Sequence, residues 1–261
     1  MEQILSNQNS ILIANVRGLK AKAWAQGGGE HYQEEHHQII DIEWPCTLSA
    51  QARRQLLEIA VPCRDGLLRE PSPGIFYVAS GCLVHYMTLS ATNNSFGLIL
   101  GRGSWFGVQS IHSSRRIHEV YEPVQSAELL FFPKASIESL LKREPELYVF
   151  LFHIAQKMSR FGFQLVCNSL RNLKGRVIYA LLHLAECHAG SRSGEYVLHV
   201  TQHALGHIVG ATRPRVSEVL KTLVEAGAIR IERGKITLLR PDFLQAKLIP
   251  SDHQYYLPKI A

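Results

Sequence analysis

The chain has 261 residues, 46% of them apolar, and a formal net charge of +6 at pH 7. That length and composition suffice for one or two domains with buried cores, which excludes a wholly disordered chain. The five cysteines form no Cys-x-x-Cys pair, so neither a disulfide framework nor a four-thiolate metal site is expected. The apolar segments are too short to span a bilayer, and the N-terminus lacks the pattern of a secretion signal. We therefore expect a soluble, cytoplasmic protein with no membrane partner.

The first 40 residues predict little regular structure, because they contain three consecutive glycines and a polar run at residues 30–37. We treat residues 1–40 as an N-terminal extension without an assigned fold. Ser49 is a residue type that favours the N-cap position, and apolar residues at helical spacing follow it. This arrangement predicts a short amphipathic helix between residues 48 and 60.

Short β-forming runs separated by turn residues follow between residues 67 and 132. They are GIFYVASG, CLVHYMTLS, FGLILGRG, SWFGV and HEVYEPVQSAELLFF. Strands at such close spacing predict antiparallel pairing rather than a parallel sheet. We therefore expect residues 41–143 to form an antiparallel β-roll or sandwich, which makes the fold class α+β when combined with the helices that follow.

Residues 144–172 predict one long helix that begins near Pro145. Apolar residues recur in it at spacings of 4, 3, 4, 3 and 4. They are Leu147, Leu151, Ile154, Met158, Phe161 and Leu165. This stripe predicts a heptad seam in a symmetric dimer, although a helix buried inside one domain has a similar pattern. Other faces also carry apolar residues, so the helix can pack on its own β-domain and still offer a seam; they include Phe150, Phe152, Phe163 and Val166.

The helical pattern breaks at Asn172 and Gly175, which predicts a hinge. A second helix is expected at about residues 176–188, followed by a short strand at residues 196–200. We take residues 173–244 as a separate C-terminal domain and residues 245–261 as a tail.

Two short helices joined by a turn are predicted at residues 201–224. Thr201 is expected to cap the first helix, Gly210 to make the turn and Thr212 to cap the second helix. The second helix has a predicted buried face, formed by Val216, Val219, Leu220, Leu223 and Val224. Its opposite face carries side chains that can contact base edges and phosphates in a major groove, namely Arg213, Ser217, Glu218 and Lys221.

Two alternating runs around Arg233 and Gly234 predict a β-hairpin wing with a basic tip. Residues 171–240 contain eleven Lys and Arg residues against five Asp and Glu, which is the whole net charge of +6. A localised positive charge of this kind is expected where a protein meets a polyanion. The order of helix, turn, helix and hairpin, combined with this charge, predicts DNA binding.

The segment VTQHALGHIVGATRPRVSEVLKTLVEAGAIRIERGKITLL resembles the winged-helix domain of the CRP/FNR superfamily of bacterial transcription regulators. The preceding order of β-roll, long helix and hinge resembles the same superfamily from about residue 46 to residue 244. The resemblance implies a cyclic-nucleotide-binding-like β-roll, a dimerisation helix and a winged helix-turn-helix domain. It also implies a homodimer that binds two-fold symmetric promoter DNA and contacts RNA polymerase.

The predicted DNA-contacting residues lie at the helix-turn-helix and the wing. They are Thr201, Gln202, Thr212, Arg213, Arg215, Ser217, Glu218, Lys221, Arg233 and Lys235. By the resemblance, Arg213 matches the family's arginine that contacts a guanine, and a bidentate arginine on a guanine is the commonest specific contact. Pro214 and Glu218 depart from the best-known members, which have glutamate and arginine there. We therefore expect a non-standard operator.

The sensor region departs from the cyclic-nucleotide pattern of the family. Gly103 and Gly107 are present, but Val108 replaces the usual glutamate and residues 117–119 replace the usual arginine pair. Without that countercharge a cyclic phosphate would bind poorly, unless Arg115 and Arg116 supply a shifted arrangement. The candidate effector-contacting residues are Phe106, Gly107, Val108, Arg115, Arg116 and Phe161. We expect a signal other than a conventionally bound cyclic nucleotide, with a cAMP or cGMP receptor as the alternative.

No cofactor is predicted, and the effector is unknown. A redox cluster is disfavoured because no cysteine precedes Cys46. A haem-dependent or metal-dependent sensor remains an alternative, for which the candidate ligands are His31, His36, His37, His85, His112 and His118. The sequence has no nucleophile elbow, no H-E-x-x-H and no Walker A loop, so we do not expect an enzyme.

Overall fold

The computed structural model describes residues 10–12, 39–64, 72–88, 95–112, 120–187 and 196–248. The chain divides into two units, residues 1–44 and residues 45–261. In the first unit, strand β1 (Ser10–Leu12) pairs antiparallel with β2 (Ile39–Asp41). The sequence patterns indicated no fold for residues 1–40, so this pairing was missed. The polar run at residues 30–37 lies outside the described residues.

The second unit begins with the predicted short helix. Helix α1 spans Ala50–Glu58, and the Ser49 hydroxyl accepts a hydrogen bond from the Ala52 N–H at 3.1 Å. This N-cap satisfies one of the donors that a helix start leaves unpaired, so the expected cap is confirmed.

An antiparallel sheet forms the β-roll that follows, as predicted. Its elements are β3 (Val61–Arg64), β4 (Gly74–Thr88), β5 (Ser95–Gly101), β6 (Trp105–Phe106), α2 (Gln109–His112), β7 (Val120–Pro133) and α3 (Lys134–Leu141). The strand order is β3-β7-β4-β5, with β6 also paired to β4. The runs GIFYVASG and CLVHYMTLS, taken as separate strands from the sequence, form the single strand β4. Its pairing with β7 shifts register between Val78 and Leu83, where the small residues Ser80 and Gly81 let the strand bend without ending.

The long helix α4 (Glu146–Ser169) packs its predicted seam onto its own β-roll. Leu147, Leu151, Ile154 and Leu165 are buried within the single chain, with exposed fractions of 8% or less. Met158 and Phe161 are partly buried against the same β-roll core. Leu147, Leu151, Ile154 and Leu165 therefore contradict the predicted dimer interface, because the β-roll of their own chain already covers their side chains. For the partly buried Met158 and Phe161 the interface stays a prediction. Of the two uses that the sequence left open for this stripe, the structure shows the intradomain one.

The exposed face of α4 carries a second apolar stripe. Its large members are Tyr148, Phe152, Phe163, Val166 and Leu170, which are 54 to 83% exposed. Ala155 and Ser159 are also exposed and continue the stripe, so its spacings along the chain are 4, 3, 4, 4, 3 and 4. An apolar stripe with this period is typical of a helix that packs against another helix.

The break between the two long helices is shorter than predicted. Helix α4 ends at Ser169 and α5 (Leu173–Cys187) begins four residues later. Gly175 lies within α5, and its N–H donates a hydrogen bond to Asn172 Oδ1 at 2.9 Å. Asn172 thus caps α5, so only Asn172 of the two predicted hinge residues lies in the break.

The C-terminal domain continues with a small sheet and three more helices. Its elements are β8 (Tyr196–Leu198), α6 (Gln202–Val209), α7 (Arg213–Glu225), β9 (Ile229–Glu232), β10 (Lys235–Leu238) and α8 (Pro241–Ala246). The three strands pair antiparallel in the order β8-β10-β9. The predicted helix-turn-helix and hairpin are both present at the expected residues.

Strands β4 and β5 have both faces buried. Leu83, Leu98 and Leu100 pack into the β-roll core. The alternate residues Val84 and Ile99 belong instead to the core of the C-terminal domain, together with α5 and α6. Because successive side chains of a strand point to opposite faces, one ladder of strands joins the two cores.

His183 lies at this junction beside Asn168 of α4 and Tyr179 of α5. Burial lowers the pKa of His183 to about 4. The folded-state pKa is therefore below the unfolded value of about 6.5, so protonation favours the unfolded chain as pH falls from 6.5 toward 4.

We expect the free energy of unfolding to fall by about 2 kcal/mol between pH 7.5 and pH 5 through His183 alone. The His183→Gln variant should lose that part of the pH dependence in urea denaturation, because glutamine does not titrate. His199→Gln, at an exposed position, is the matched control. Parallel pH profiles for the wild type and His183→Gln would show that His183 is not responsible.

Candidate nucleic-acid interface

Helix α6 is fixed at both ends by local hydrogen bonds. The Thr201 hydroxyl accepts from the Ala204 N–H at 3.1 Å, which confirms the predicted N-cap. Leu205 and Ile208 are buried in the core of the C-terminal domain. Gly210 ends the helix with φ of +64°, a left-handed conformation that glycine adopts without steric cost.

The turn between α6 and α7 depends on a close backbone approach at Gly206. The Ala211 N–H donates to the Gly206 carbonyl at 2.9 Å. A Cβ atom on Gly206 would lie 2.7 Å from the Ala211 carbonyl oxygen, closer than van der Waals contact allows. Because the clash would be with backbone, the turn can pack this closely on α6 only with glycine at residue 206.

Helix α7 has one buried and one exposed face. Val216, Leu220 and Leu223 are buried, whereas Val224 is 41% exposed and was wrongly assigned to the buried face. Thr212 occupies the N-cap position, but its side chain makes no capping hydrogen bond. Pro214 stands in the first turn, where a missing N–H costs nothing. The residues predicted to face DNA are exposed here; they are Arg213, Arg215, Ser217, Glu218 and Lys221.

The wing is a tight antiparallel hairpin. Lys235 is paired with Glu232 across β9 and β10, and the connecting residues are Arg233 and Gly234. Gly234 has φ of +72°, as a short hairpin turn requires. Arg233 and Lys235 are exposed at the tip.

A cleft of about 460 Å³ lies between the start of α6, the start of α7 and the wing. It brings together five of the predicted DNA-contacting residues, which are Thr201, Gln202, Arg213, Arg233 and Lys235. The other exposed residues of α7 lie outside its lining. Three cationic side chains therefore converge on one groove from two separate elements.

Ion pairs on the exposed surface modify this charge only weakly. Lys221 pairs with Glu225 at 4.0 Å and Arg230 pairs with Glu232 at 3.3 Å. All four side chains are more than half exposed, where such pairs contribute little. Lys221 thus pairs with Glu225, one turn further along α7.

One cationic residue was missed by the sequence analysis. Arg176 lies on α5, near Arg215 of α7. Burial is the main cause that lowers the pKa of Arg176, and the like charge of Arg215 lowers it further. The buried Nε of Arg176 has no hydrogen-bond partner among the described residues. Its charge was visible in the sequence, but its position beside α7 follows from the packing of α5.

The effector-contacting residues predicted in the β-roll are mostly core residues. Phe106 is fully buried and stacks on Phe76, with ring centroids 5.0 Å apart and an interplanar angle of 11°. Phe106 also packs against Tyr121 at 4.8 Å. Phe161 is partly buried against the same core and Val108 is half-buried. Arg115 and Arg116 lie outside the described residues.

The segment from Gly103 to Gly107 forms a turn that is hydrogen-bonded to β4. The Gly103 N–H donates to the Val78 carbonyl, and the Val78 N–H donates to the Ser104 carbonyl, both at 2.9 Å. Gly107 has φ of +87°, and a Cβ there would lie 2.5 Å from the Gly74 carbonyl oxygen. Together with the φ of +81° at Gly103, these contacts explain the two glycines by backbone conformation and close packing.

Metal ligation was also considered for the histidines. Within the part of the chain that the structure describes, no group of three or more His, Cys, Asp and Glu residues is placed to hold a metal ion. His85 stacks on Tyr121 at 4.6 Å. His31, His36, His37 and His118 lie outside the described residues, as does the side chain of His112. No helix among the described residues is long and apolar enough to cross a membrane.

The antiparallel β-roll, the long helix and the helix-turn-helix with its β-wing together define a β-roll and winged-helix architecture. Residues 175–247 match the family model of the Crp-like helix-turn-helix domain. The chain therefore contains a Crp-like helix-turn-helix domain, and it is similar to transcription regulators of the CRP/FNR family.

Similar proteins agree with this assignment. The chain is 25% identical over 172 residues to the cyclic AMP receptor protein of Thermus thermophilus. This alignment covers 66% of this chain and 77% of that protein. It is 24% identical over 180 residues to the global nitrogen regulator of a Nostoc species, and this alignment covers 66% of this chain and 79% of that protein. A solved CRP/FNR family transcriptional regulator from Thermus thermophilus is 25% identical and has a TM-score of 0.57 over 72% of this chain and 97% of that one.

The close approach at Gly206 leads to a stability prediction. We expect Gly206→Ala to lower the free energy of unfolding by about 1–3 kcal/mol, because the turn backbone must move away from the new methyl group. The matched control is Gly162→Ala in α4, where a Cβ meets no atom within 4 Å. That change should instead raise stability by about 0.5–1 kcal/mol, and urea denaturation measures both. Equal effects at the two sites would contradict a special role for Gly206.

Proposed function

We propose that this chain is a homodimeric, sequence-specific DNA-binding transcription regulator. The observation that carries the proposal is the cleft in which Arg213 of α7 faces Arg233 and Lys235 of the wing. A helix with an exposed polar face fits the major groove, and a basic hairpin beside it fits the phosphate backbone. The positive charge of residues 171–240 supports the same partner.

Arg213 is the leading residue for base recognition. It is exposed at the first position of α7, and the N-terminal residues of a recognition helix are those that contact base edges. An arginine there can donate two hydrogen bonds to the O6 and N7 atoms of guanine. Glu218, one turn further along, can accept from a cytosine amino group, whereas Pro214 offers no donor. This combination supports an operator that differs from the standard one.

The exposed stripe on α4 is the surface we propose for dimerisation. It replaces the buried stripe that the sequence suggested. Two copies of this helix packed along Phe152, Phe163 and Val166 would cover side chains that are more than half exposed in one chain. The resulting two-fold axis would place two winged-helix domains on two half-sites, which single domains cannot match in specificity.

The regulating signal is proposed to be something other than a conventionally bound cyclic nucleotide. Support comes from Val108 at the position of the usual glutamate and from Phe106, which fills the interior of the β-roll with stacked rings. The relatives named above carry names that refer to different signals, cyclic AMP and nitrogen, so similarity alone does not choose an effector. A cytoplasmic site of action and contact with RNA polymerase belong to the same proposal.

Arg213→Ala tests base recognition. We expect it to weaken binding to a selected genomic operator by about 1–3 kcal/mol at fixed salt, because two hydrogen bonds to one guanine are lost. Lys235→Ala is the comparison. It should weaken binding to all DNA sequences alike, and the salt dependence of binding should fall by the amount expected for about one lost phosphate contact. Fluorescence anisotropy over a salt series separates the two effects. Unchanged operator affinity in Arg213→Ala would remove this residue from base recognition.

The double change Phe152→Lys with Phe163→Lys tests the dimer surface. We expect sedimentation velocity to show monomers and operator binding to weaken strongly, because four lysines would meet across the proposed interface. Ala135→Lys with Ser139→Lys, two exposed positions on α3, adds the same charge elsewhere and should leave the dimer intact. A wild-type protein that is already monomeric, or a dimer unaffected by the α4 changes, would overturn this surface.

A further inference from the structure

Two cysteine thiols from different domains meet where the C-terminal domain packs on the β-roll. Cys82 lies on β4 and is fully buried. Cys187 is the last residue of α5 and is half-buried. Both pack in the core that joins β4 and β5 to α5 and α6. The two residues are 105 positions apart in the chain, so only the docking of the domains brings them together.

The position between them is occupied by a glycine. Cys82 is paired with Gly101 across β4 and β5, so a side chain on Gly101 would point to the same face as that of Cys82. A Cβ on Gly101 would collide with Cys187 Sγ and would lie 2.8 Å from Cys187 Cβ. Cys187 therefore fills the space that a side chain at residue 101 would otherwise take. The Cys82 and Cys187 thiols are neighbours there, and Cys82 Sγ donates a hydrogen bond to the Leu83 carbonyl oxygen at 3.9 Å.

The two sulfurs have different surroundings. The neighbouring Cys187 thiol and then burial raise the pKa of Cys82 well above its usual value, so Cys82 is a neutral thiol at pH 7. Cys187 is partly exposed at the end of α5, whereas Cys82 is fully buried. An oxidant would therefore attack Cys187 first, and Cys82 would react second.

We propose that Cys82 and Cys187 form a peroxide-oxidisable pair that closes an intramolecular disulfide between the β-roll and the C-terminal domain. The Cys187 thiolate attacks one oxygen of hydrogen peroxide; a sulfur–oxygen bond forms, the oxygen–oxygen bond breaks, and the hydroxide released takes up a proton to become water. Cys82 then attacks the resulting sulfenic acid, the sulfur–oxygen bond breaks, and the leaving hydroxide takes the Cys82 proton. Two thiols are oxidised by two electrons and the peroxide is reduced to two waters.

The disulfide would fix the docking of the two domains. It joins β4 to the end of α5, so the C-terminal domain could no longer separate from strands β4 and β5. A crosslink that closes so long a loop removes much of the entropy of the unfolded chain. This inference concerns the pairing of thiols and does not depend on DNA binding.

Mass spectrometry of the full-length protein tests the pairing. After treatment with hydrogen peroxide we expect the intact mass to fall by two hydrogens and peptide mapping to identify Cys82 joined to Cys187. Tris(2-carboxyethyl)phosphine should restore the original mass. The Tm of the oxidised protein should rise by about 10 °C relative to the reduced protein. The triple variant Cys46→Ser, Cys63→Ser, Cys167→Ser should behave in the same way.

Three variants should fail in distinct ways. Cys82→Ala keeps the site apolar and should leave Cys187 as a sulfenic acid that dimedone labels. Cys187→Ser should show neither the mass loss nor the label at Cys82. Gly101→Ala pushes Cys187 away and should lower the disulfide yield several-fold while both thiols remain. The proposal is overturned if the wild type keeps both thiols at full peroxide exposure, or if the mapped bond joins any other pair or two different chains.

Discussion

The two-sided burial of strands β4 and β5 is the constraint on which the rest of the second unit depends. One face of this ladder, through Leu83 and Leu98, closes the β-roll over α4. The other face, through Val84 and Ile99, forms a shared core with α5 and α6. A strand can serve two cores only if apolar residues occupy consecutive positions, because its side chains alternate between faces. The position of the proposed DNA-binding surface relative to the β-roll is therefore set by residues far from the helix-turn-helix.

The local features of the C-terminal domain depend instead on contacts between near neighbours in the chain. The Thr201 cap, the left-handed Gly210 and the close approach at Gly206 fix α6 and its turn through contacts within a few residues. Arg213 then follows at the start of α7, and the wing meets it across the cleft. Short-range hydrogen bonds determine the geometry of the proposed interface, whereas the long-range ladder determines where that interface stands.

Helix α4 shows how far a sequence pattern reaches. It carries two apolar stripes, one through Leu151 and Ile154 and another through Phe152 and Phe163. Both have helical period, so the sequence established that two faces were apolar but not which one covers the chain's own sheet. The β-roll buries the aliphatic stripe and leaves the aromatic one exposed. The prediction that Ile154 lies at a dimer interface is wrong, because helical periodicity does not distinguish an intramolecular partner from an intermolecular one.

The sequence by itself determined the succession of β-roll, long helix, helix-turn-helix and wing, the Ser49 and Thr201 caps, and the polar residues that face outward on α7. These features depend on spacing, capping chemistry and charge, all of which act over a few residues. Only the tertiary structure decided that β4 is a single bent strand and that the Phe106 ring fills the core of the β-roll. It also decided that Arg176 lies near Arg215 and Cys82 near Cys187. Each of these depends on contacts between residues distant in the chain, and those contacts are set by how buried faces fit together, which composition and periodicity do not specify.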